Sequence, residues 1–162
     1  AGIAAHLSGI KDETLKKSLG DFEGVEHRLE KVARVGGVQY INDSKATNVD
    51  ACWYALESMT TPTILIIGGK DKGNDYNAIK DLVKKKCAGL VFLGADNAKL
   101  HNFFDGMGIP IADTHSMKDC VAECVKMAKQ IATIIGGAPA PMATVANGTY
   151  RAATRPDAVA NT

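Results

Sequence analysis

Two short stretches hold most of the side chains able to do chemistry. In Asn42-Asp43-Ser44-Lys45-Ala46-Thr47-Asn48, every position but Ala46 carries a hydrogen-bonding head. Asp43 offers a carboxylate suited to ribose hydroxyls or a metal. Lys45 offers a point charge for a phosphate or carboxylate. Thr47 can donate to an anion at the start of a helix, where free backbone N–H groups and the helix dipole already favour one. The same residue types also cap helices and form turns, so a plain capped strand-to-helix turn explains the composition equally well. The second stretch, Gly68-Gly69-Lys70-Asp71-Lys72-Gly73, sets two lysines beside a bare backbone that a ligand can approach closely. It is neither a dinucleotide fingerprint nor a P-loop, because G-x-G-x-x-G is absent and G-x-x-x-x-G-K-[ST] occurs nowhere in the chain. Two anion-seeking loops suit a substrate with several carboxylates, or a carboxylate beside a phosphate.

The elements that must position these loops read as a doubly wound α/β sheet. Asp12, Leu15 and Leu19 predict a short capped helix ending near Gly20. Residues 28–35 and 38–41 alternate on either side of Gly36-Gly37, which predicts a β-hairpin. Asn48 caps a helix to about Ser58. The run Thr63-Ile64-Leu65-Ile66-Ile67 does not alternate, so it is a strand covered on both faces, as in a parallel sheet. Asp75 starts a helix carrying Ile79, Leu82 and Val83. Gly89 to Leu93 is a second buried strand, a short helix with Leu100 and Phe103 follows, and Ile109 to Ala112 is a third strand. Ser116 caps a helix whose stripe is Met117, Cys120, Val121, Cys124, Val125, Ala128 and Ile131. Past Ile135, Gly136-Gly137-Ala138-Pro139-Ala140-Pro141 breaks structure, Met142 to Ala146 forms a last strand, and 147–162 reads as a mobile tail. The result is a Rossmann-like, mostly parallel sheet opened by a hairpin. Ligands gather at the carboxyl ends of such strands, which selects the two loops above.

Composition excludes several classes. The 162 residues are 46% hydrophobic and 23% charged, enough for one domain with a real core. A net charge of +1 gives no push toward nucleic acid or anionic membrane. Lys84-Lys85-Lys86 reads as the wet end of a helix. No apolar run is long enough to span a bilayer. Residues 1–9 lack the basic start and apolar run of a signal peptide. Without an initiator Met, the chain reads as a fragment of something longer. The four cysteines, Cys52, Cys87, Cys120 and Cys124, form no CxxC pair; they read as core residues of a protein in a reducing cytoplasm.

Three motifs together resemble a known family. Residues 22–30 (Phe-Glu-Gly-Val-Glu-His-Arg-Leu-Glu), then 42–48, then 68–73 follow the order and spacing of the D-glutamate-adding ligases of the Mur ligase family, over about residues 1 to 135. The second motif is the specific one, since sister ligases and folylpolyglutamate synthases carry His- or Tyr-centred loops there. The resemblance implies a three-domain, ADP-forming enzyme. One domain binds a UDP-sugar, a central one holds the P-loop, and the last is a Rossmann-like lid. ATP with Mg²⁺ would phosphorylate the carboxylate of UDP-N-acetylmuramoyl-L-alanine, and the amine of D-glutamate would attack. Residues 1–10 would be the end of the central domain or a linker, 11–146 the lid, and 147–162 a disordered or atypical tail.

Carried over by position, Arg28 and Asp43 resemble the nucleotide contacts, with Lys45 facing phosphate or shaping the loop. Thr47 and Lys72 resemble the pair that holds the D-glutamate carboxylates. Lys70 and Asp71 shape their loop, Trp53 is core, and His27 has no chemical role. No residue of this fragment resembles a catalytic group or metal ligand, and, with the P-loop and most of the ATP machinery missing, it is expected to be inactive alone. The resemblance fails at 143–150, where the family has a Ser-Pro-Ala-Cys-Ala-Ser-Phe-Asp-like segment and this chain reads Ala-Thr-Val-Ala-Asn-Gly-Thr-Tyr. A non-catalytic nucleotide- or anion-binding module remains the alternative.

Overall fold

The computed structural model describes residues 2–22, 24–69, 73–134 and 142–146, the last five and residues 133 and 134 by backbone alone. Lys70, Asp71, Lys72, the Gly136–Pro141 breaker and the tail therefore lie outside the described residues.

Among the described residues, thirteen elements follow one another: α1 (Gly2–Leu7), α2 (Asp12–Gly20), β1 (Glu30–Val35), β2 (Val38–Asn42), α3 (Val49–Ser58), β3 (Thr63–Gly68), a 3-10 turn (Tyr76–Ile79), α4 (Lys80–Lys86), β4 (Cys87–Leu93), α5 (Ala98–Phe104), β5 (Ile111–Thr114), α6 (Met117–Ile134) and β6 (Met142–Ala146). The strands form one six-stranded sheet in the order β1-β2-β6-β3-β4-β5. Among these described strands, only the β1–β2 pair is antiparallel. Gly36 and Gly37 make its tight turn at φ of 57° and 84°, values that a Cβ disfavours. The register slips between Lys31 and Ala33, leaving Val32 as a bulge.

Winding direction decides which helix covers which face. The chain steps outward from β3 to β4 to β5, then returns through α6 to the slot between β2 and β3. Right-handed crossovers put the outward helices on one face and the returning helix on the other. The side chains confirm it. Leu65, Ile67, Leu90 and Phe92 pack with Cys52, Leu56, Ile79, Val83, Leu100 and Phe104. Ile64, Ile66, Val91 and Leu93 pack with Cys120, Cys124, Met127 and Ala128 of α6. Successive β3 residues thus enter opposite layers, which is why its run is apolar throughout. Each fully buried Ile, Leu or Phe contributes about 1.5–3 kcal/mol of transfer free energy.

Several boundaries differ from the sequence expectation. Asp12 is not a cap: Lys11 holds that position without a side-chain cap, while the Asp12 carboxylate lies 3.0 Å from His6 Nδ1. A 3-10 turn capped by Asp75 precedes α4. β5 starts two residues later than expected because Pro110 has no N–H for the ladder; its carbonyl still accepts from Leu90 N–H. Lys86 is not free in solvent, since its Nζ donates to the Glu57 and Met59 carbonyls at the end of α3. Trp53 is only partly buried. Asn48 and Ser116 cap as expected, accepting from Ala51 N–H at 2.8 Å and Asp119 N–H at 3.2 Å. Neither α1 nor α2 buries a residue, and Ile3 and Leu7 stay 81% exposed.

Candidate ligand site at the carboxyl edge of the sheet

Parallel pairing places the carboxyl ends of β2, β6 and β3 on one edge. Asn42 pairs with Val145, and Ile67 with Ala146. The loops after β2 and β3 therefore flank the end of β6. The two stretches singled out by residue type therefore both leave the sheet at this edge, beside the change in winding direction.

The first loop is built around buried polar groups. Asn42 and Asp43 are 6% and 5% exposed. Asn42 Oδ1 accepts from Ser44 N–H at 3.1 Å, so its Nδ2 must face the other way. There it donates to His27 Nδ1 at 2.7 Å and to Glu30 Oε2 at 3.3 Å. Asp43 Oδ1 accepts from Leu29 N–H at 3.1 Å. Glu30 Oε2 also accepts from His27 N–H at 2.8 Å. Further along, Lys45 N–H donates to the His27 carbonyl, Ala46 N–H to the Asp43 carbonyl, and Thr47 N–H to the Lys45 carbonyl. Ala46 is buried at 1%, pinning the loop while Lys45 and Thr47 point to solvent. Thr47 immediately precedes Asn48, the N-cap of α3.

Electrostatics follow from this burial. Asp43 is held above the ordinary carboxylate range because burial penalises its charge; the Leu29 N–H and the Arg28 guanidinium oppose that effect. Cys52 is pushed up to about 12 by burial, with the Asp43 carboxylate adding to it. Arg28 itself is exposed.

The second loop leaves β3 through Gly68, whose backbone runs against β4. A Cβ there would lie 2.0 Å from the Leu93 carbonyl oxygen, which also accepts from Gly69 N–H at 2.7 Å. Only glycine fits. Where the loop rejoins the described residues, Asn74 Nδ2 donates to the Tyr76 hydroxyl at 3.3 Å.

The structure thus brings Arg28, Asp43, Lys45 and Thr47 around one loop. Lys72 lies outside the described residues. Sequence reasoning missed Asn42, Glu30 and His27, which the fold joins across 12 to 15 positions. Among the described residues, no group of three or more His, Cys, Asp or Glu is arranged to hold a metal ion. No described helix is long and apolar enough to cross a membrane.

The family described as "Mur ligase, glutamate ligase domain" matches residues 27–137. The UDP-N-acetylmuramoylalanine–D-glutamate ligase of Bacteroides thetaiotaomicron is 62% identical over 136 residues, 83% of this chain and 31% of that protein. The ligases of the same name from Porphyromonas gingivalis and Salinibacter ruber are 58% and 41% identical, over 82% and 80% of this chain and 30% and 28% of theirs. The chain therefore spans about a third of the length of these relatives. A crystal structure of MurF from Acinetobacter baumannii matches 87% of this chain and 31% of its own with a TM-score of 0.61 at 15% identity, a likeness of fold alone.

Proposed function

The chain belongs to the Mur ligase family as its glutamate ligase domain, and from that premise we propose that it is the lid of a cytoplasmic, ADP-forming amide ligase of peptidoglycan synthesis. Such a ligase adds D-glutamate to UDP-N-acetylmuramoyl-L-alanine. The observation that carries this reading is the 62% identity to a D-glutamate ligase, joined to two anion-seeking loops on one sheet edge.

In this reading the chain works by positioning. Arg28 and Asp43 face the nucleotide toward ribose and phosphates, Asp43 with the oxygen that Leu29 does not occupy. Lys45 faces phosphate. Thr47 and Lys72 grip the two carboxylates of D-glutamate, so its amine stays free to attack. ATP supplies the activating phosphoryl group, and its Mg²⁺ is held mainly by the central domain of the full-length ligase. The fragment alone forms no amide bond, because no P-loop occurs in it.

Lys72→Ala in the full-length ligase tests the reading. A lysine–carboxylate contact in a closing cleft is charge-assisted, and losing one partner costs about 2–5 kcal/mol. At about 1.4 kcal/mol per tenfold, the KM for D-glutamate should rise by roughly thirty-fold or more, and that for ATP far less. Lys70→Ala is the control. A D-glutamate KM within about twofold of the parent for Lys72→Ala, with a strong rise for Lys70→Ala, would refute the assignment.

A further inference from the structure

Arg28 sits between two strained neighbours. His27 has φ of 63° and Leu29 of 46°, left-handed values that a side chain disfavours. Left to itself, the turn would relax to right-handed or extended backbone and carry Arg28 with it. Strain of this kind persists only where the surroundings over-determine it, and it gathers at functional sites.

The surroundings here are specific. The N–H of each strained residue is captured by a carboxylate: His27 by Glu30 Oε2 at 2.8 Å, Leu29 by Asp43 Oδ1 at 3.1 Å. The His27 carbonyl is held by Lys45 N–H at 3.0 Å. Asn42 locks the arrangement from below. Its Oδ1 is taken by Ser44, so Nδ2 reaches both the His27 ring and Glu30. His27 Nδ1 accepts that bond from the amide N–H. Asn42 is buried and Glu30 half-buried, so water competes poorly for these partners.

We propose that Glu30 and Asn42 are positioning residues that hold the His27–Leu29 turn in its left-handed form and thereby aim Arg28 at the nucleotide. The proposal rests on the reading of Arg28 as a nucleotide contact, so the experiment tests both separately.

The full-length ligase is assayed as Arg28→Ala, Glu30→Ala, Glu30→Gln, His27→Gly and the Glu30→Ala/His27→Gly pair, with KM for ATP and D-glutamate measured apart. Glu30→Ala should raise the ATP KM about tenfold, the scale expected when a captured N–H loses its charged acceptor. The D-glutamate KM should stay within about twofold, a split that general destabilisation would not give. Glu30→Gln keeps an oxygen for His27 N–H and should recover to within about threefold. Glycine takes a positive φ without strain, so removing Glu30 in the His27→Gly background should cost less than about threefold. Asn42→Ala carries the same ATP-selective test should Glu30→Ala not fold. An ATP KM unmoved by Arg28→Ala overturns the reading of Arg28, and the proposal with it. A response to Arg28→Ala with none to Glu30→Ala or Asn42→Ala overturns the clamp alone. An undiminished Glu30→Ala effect in the His27→Gly background overturns the strain-holding account.

Discussion

Gly68→Ala should be among the most damaging single-methyl additions to this chain. Its Cβ would lie 2.0 Å from the Leu93 oxygen, 2.7 Å from the Leu93 carbonyl carbon and 2.8 Å from its nitrogen. These are backbone atoms at the carboxyl ends of β3 and β4, so no side chain can swing aside. Restoring an ordinary contact of 3.4 Å needs β3 and β4 to part by about 1.4 Å here. The same movement breaks the Gly69 N–H bond to that oxygen, worth about 1 kcal/mol net. Overpacking strain adds about 1–3 kcal/mol. The total, about 2–4 kcal/mol, corresponds at about 4 °C per kcal/mol to a Tm lowered by about 8–16 °C. Thermal unfolding of the 162-residue chain followed by circular dichroism measures it. Gly73→Ala is the comparison. There the φ is +80° but a Cβ meets open space, so only conformational strain of about 1 kcal/mol applies. A Gly68→Ala chain melting within about 2 °C of the parent, or above Gly73→Ala, would refute the reasoning.

Two further outcomes are expected. His101 lies between two carboxylates, 2.8 Å from Asp105 and 3.0 Å from Asp113, with the Phe92 ring edge-on beside it. The hydrogen bond to Asp105, then that to Asp113, raises its pKa above the ordinary 6.5. The stability it contributes is therefore fully present below pH 6.5 and lost as pH rises through the raised folded value. The Tm of the parent should fall relative to His101→Gln between about pH 6 and pH 9; parallel Tm curves would contradict the contact. The four buried cysteines, three of them pushed up to about 12 by burial, should resist an aromatic disulfide reagent in the native chain and react together on unfolding in guanidinium. Rapid native reaction of any one would show that its side of the core is open.

Legibility in the sequence followed the range of the interaction. The β3 run, the Gly36-Gly37 turn and the Asn48 and Ser116 caps are decided within a few residues, and all were readable. The α6 stripe was readable at Met117, Cys120, Cys124, Ala128 and Ile131, but Val121 and Val125 are only partly buried and lie outside that cluster, while Met127 was missed. Asp12 misled because a carboxylate in a first helical turn resembles a cap. The site loops were visible as residue types, but not the contacts between them. Nothing local marks Asn42 as a partner of His27 and Glu30, and nothing near Leu93 foretells that Gly68 must lie against it. The place of β6 was equally hidden, since its neighbours β2 and β3 are set by topology.

That place has a consequence for how the chain reaches its structure. β6 pairs with strands made about a hundred and about eighty residues earlier, and both pairings must wait for it. Contacts so distant in sequence slow folding, because chain entropy is lost before they repay it. Until β6 arrives, β2 and β3 cannot share their edges with it. The waiting β3 edge carries Ile64-Leu65-Ile66-Ile67, the kind of apolar strand that pairs with other chains when left open. On the ribosome, then, the sheet cannot close until residue 146 has cleared the exit tunnel. Nascent chains halted before β6 should be held by chaperones or lost to aggregation, though the outer strands β3 to β5 are already complete in them.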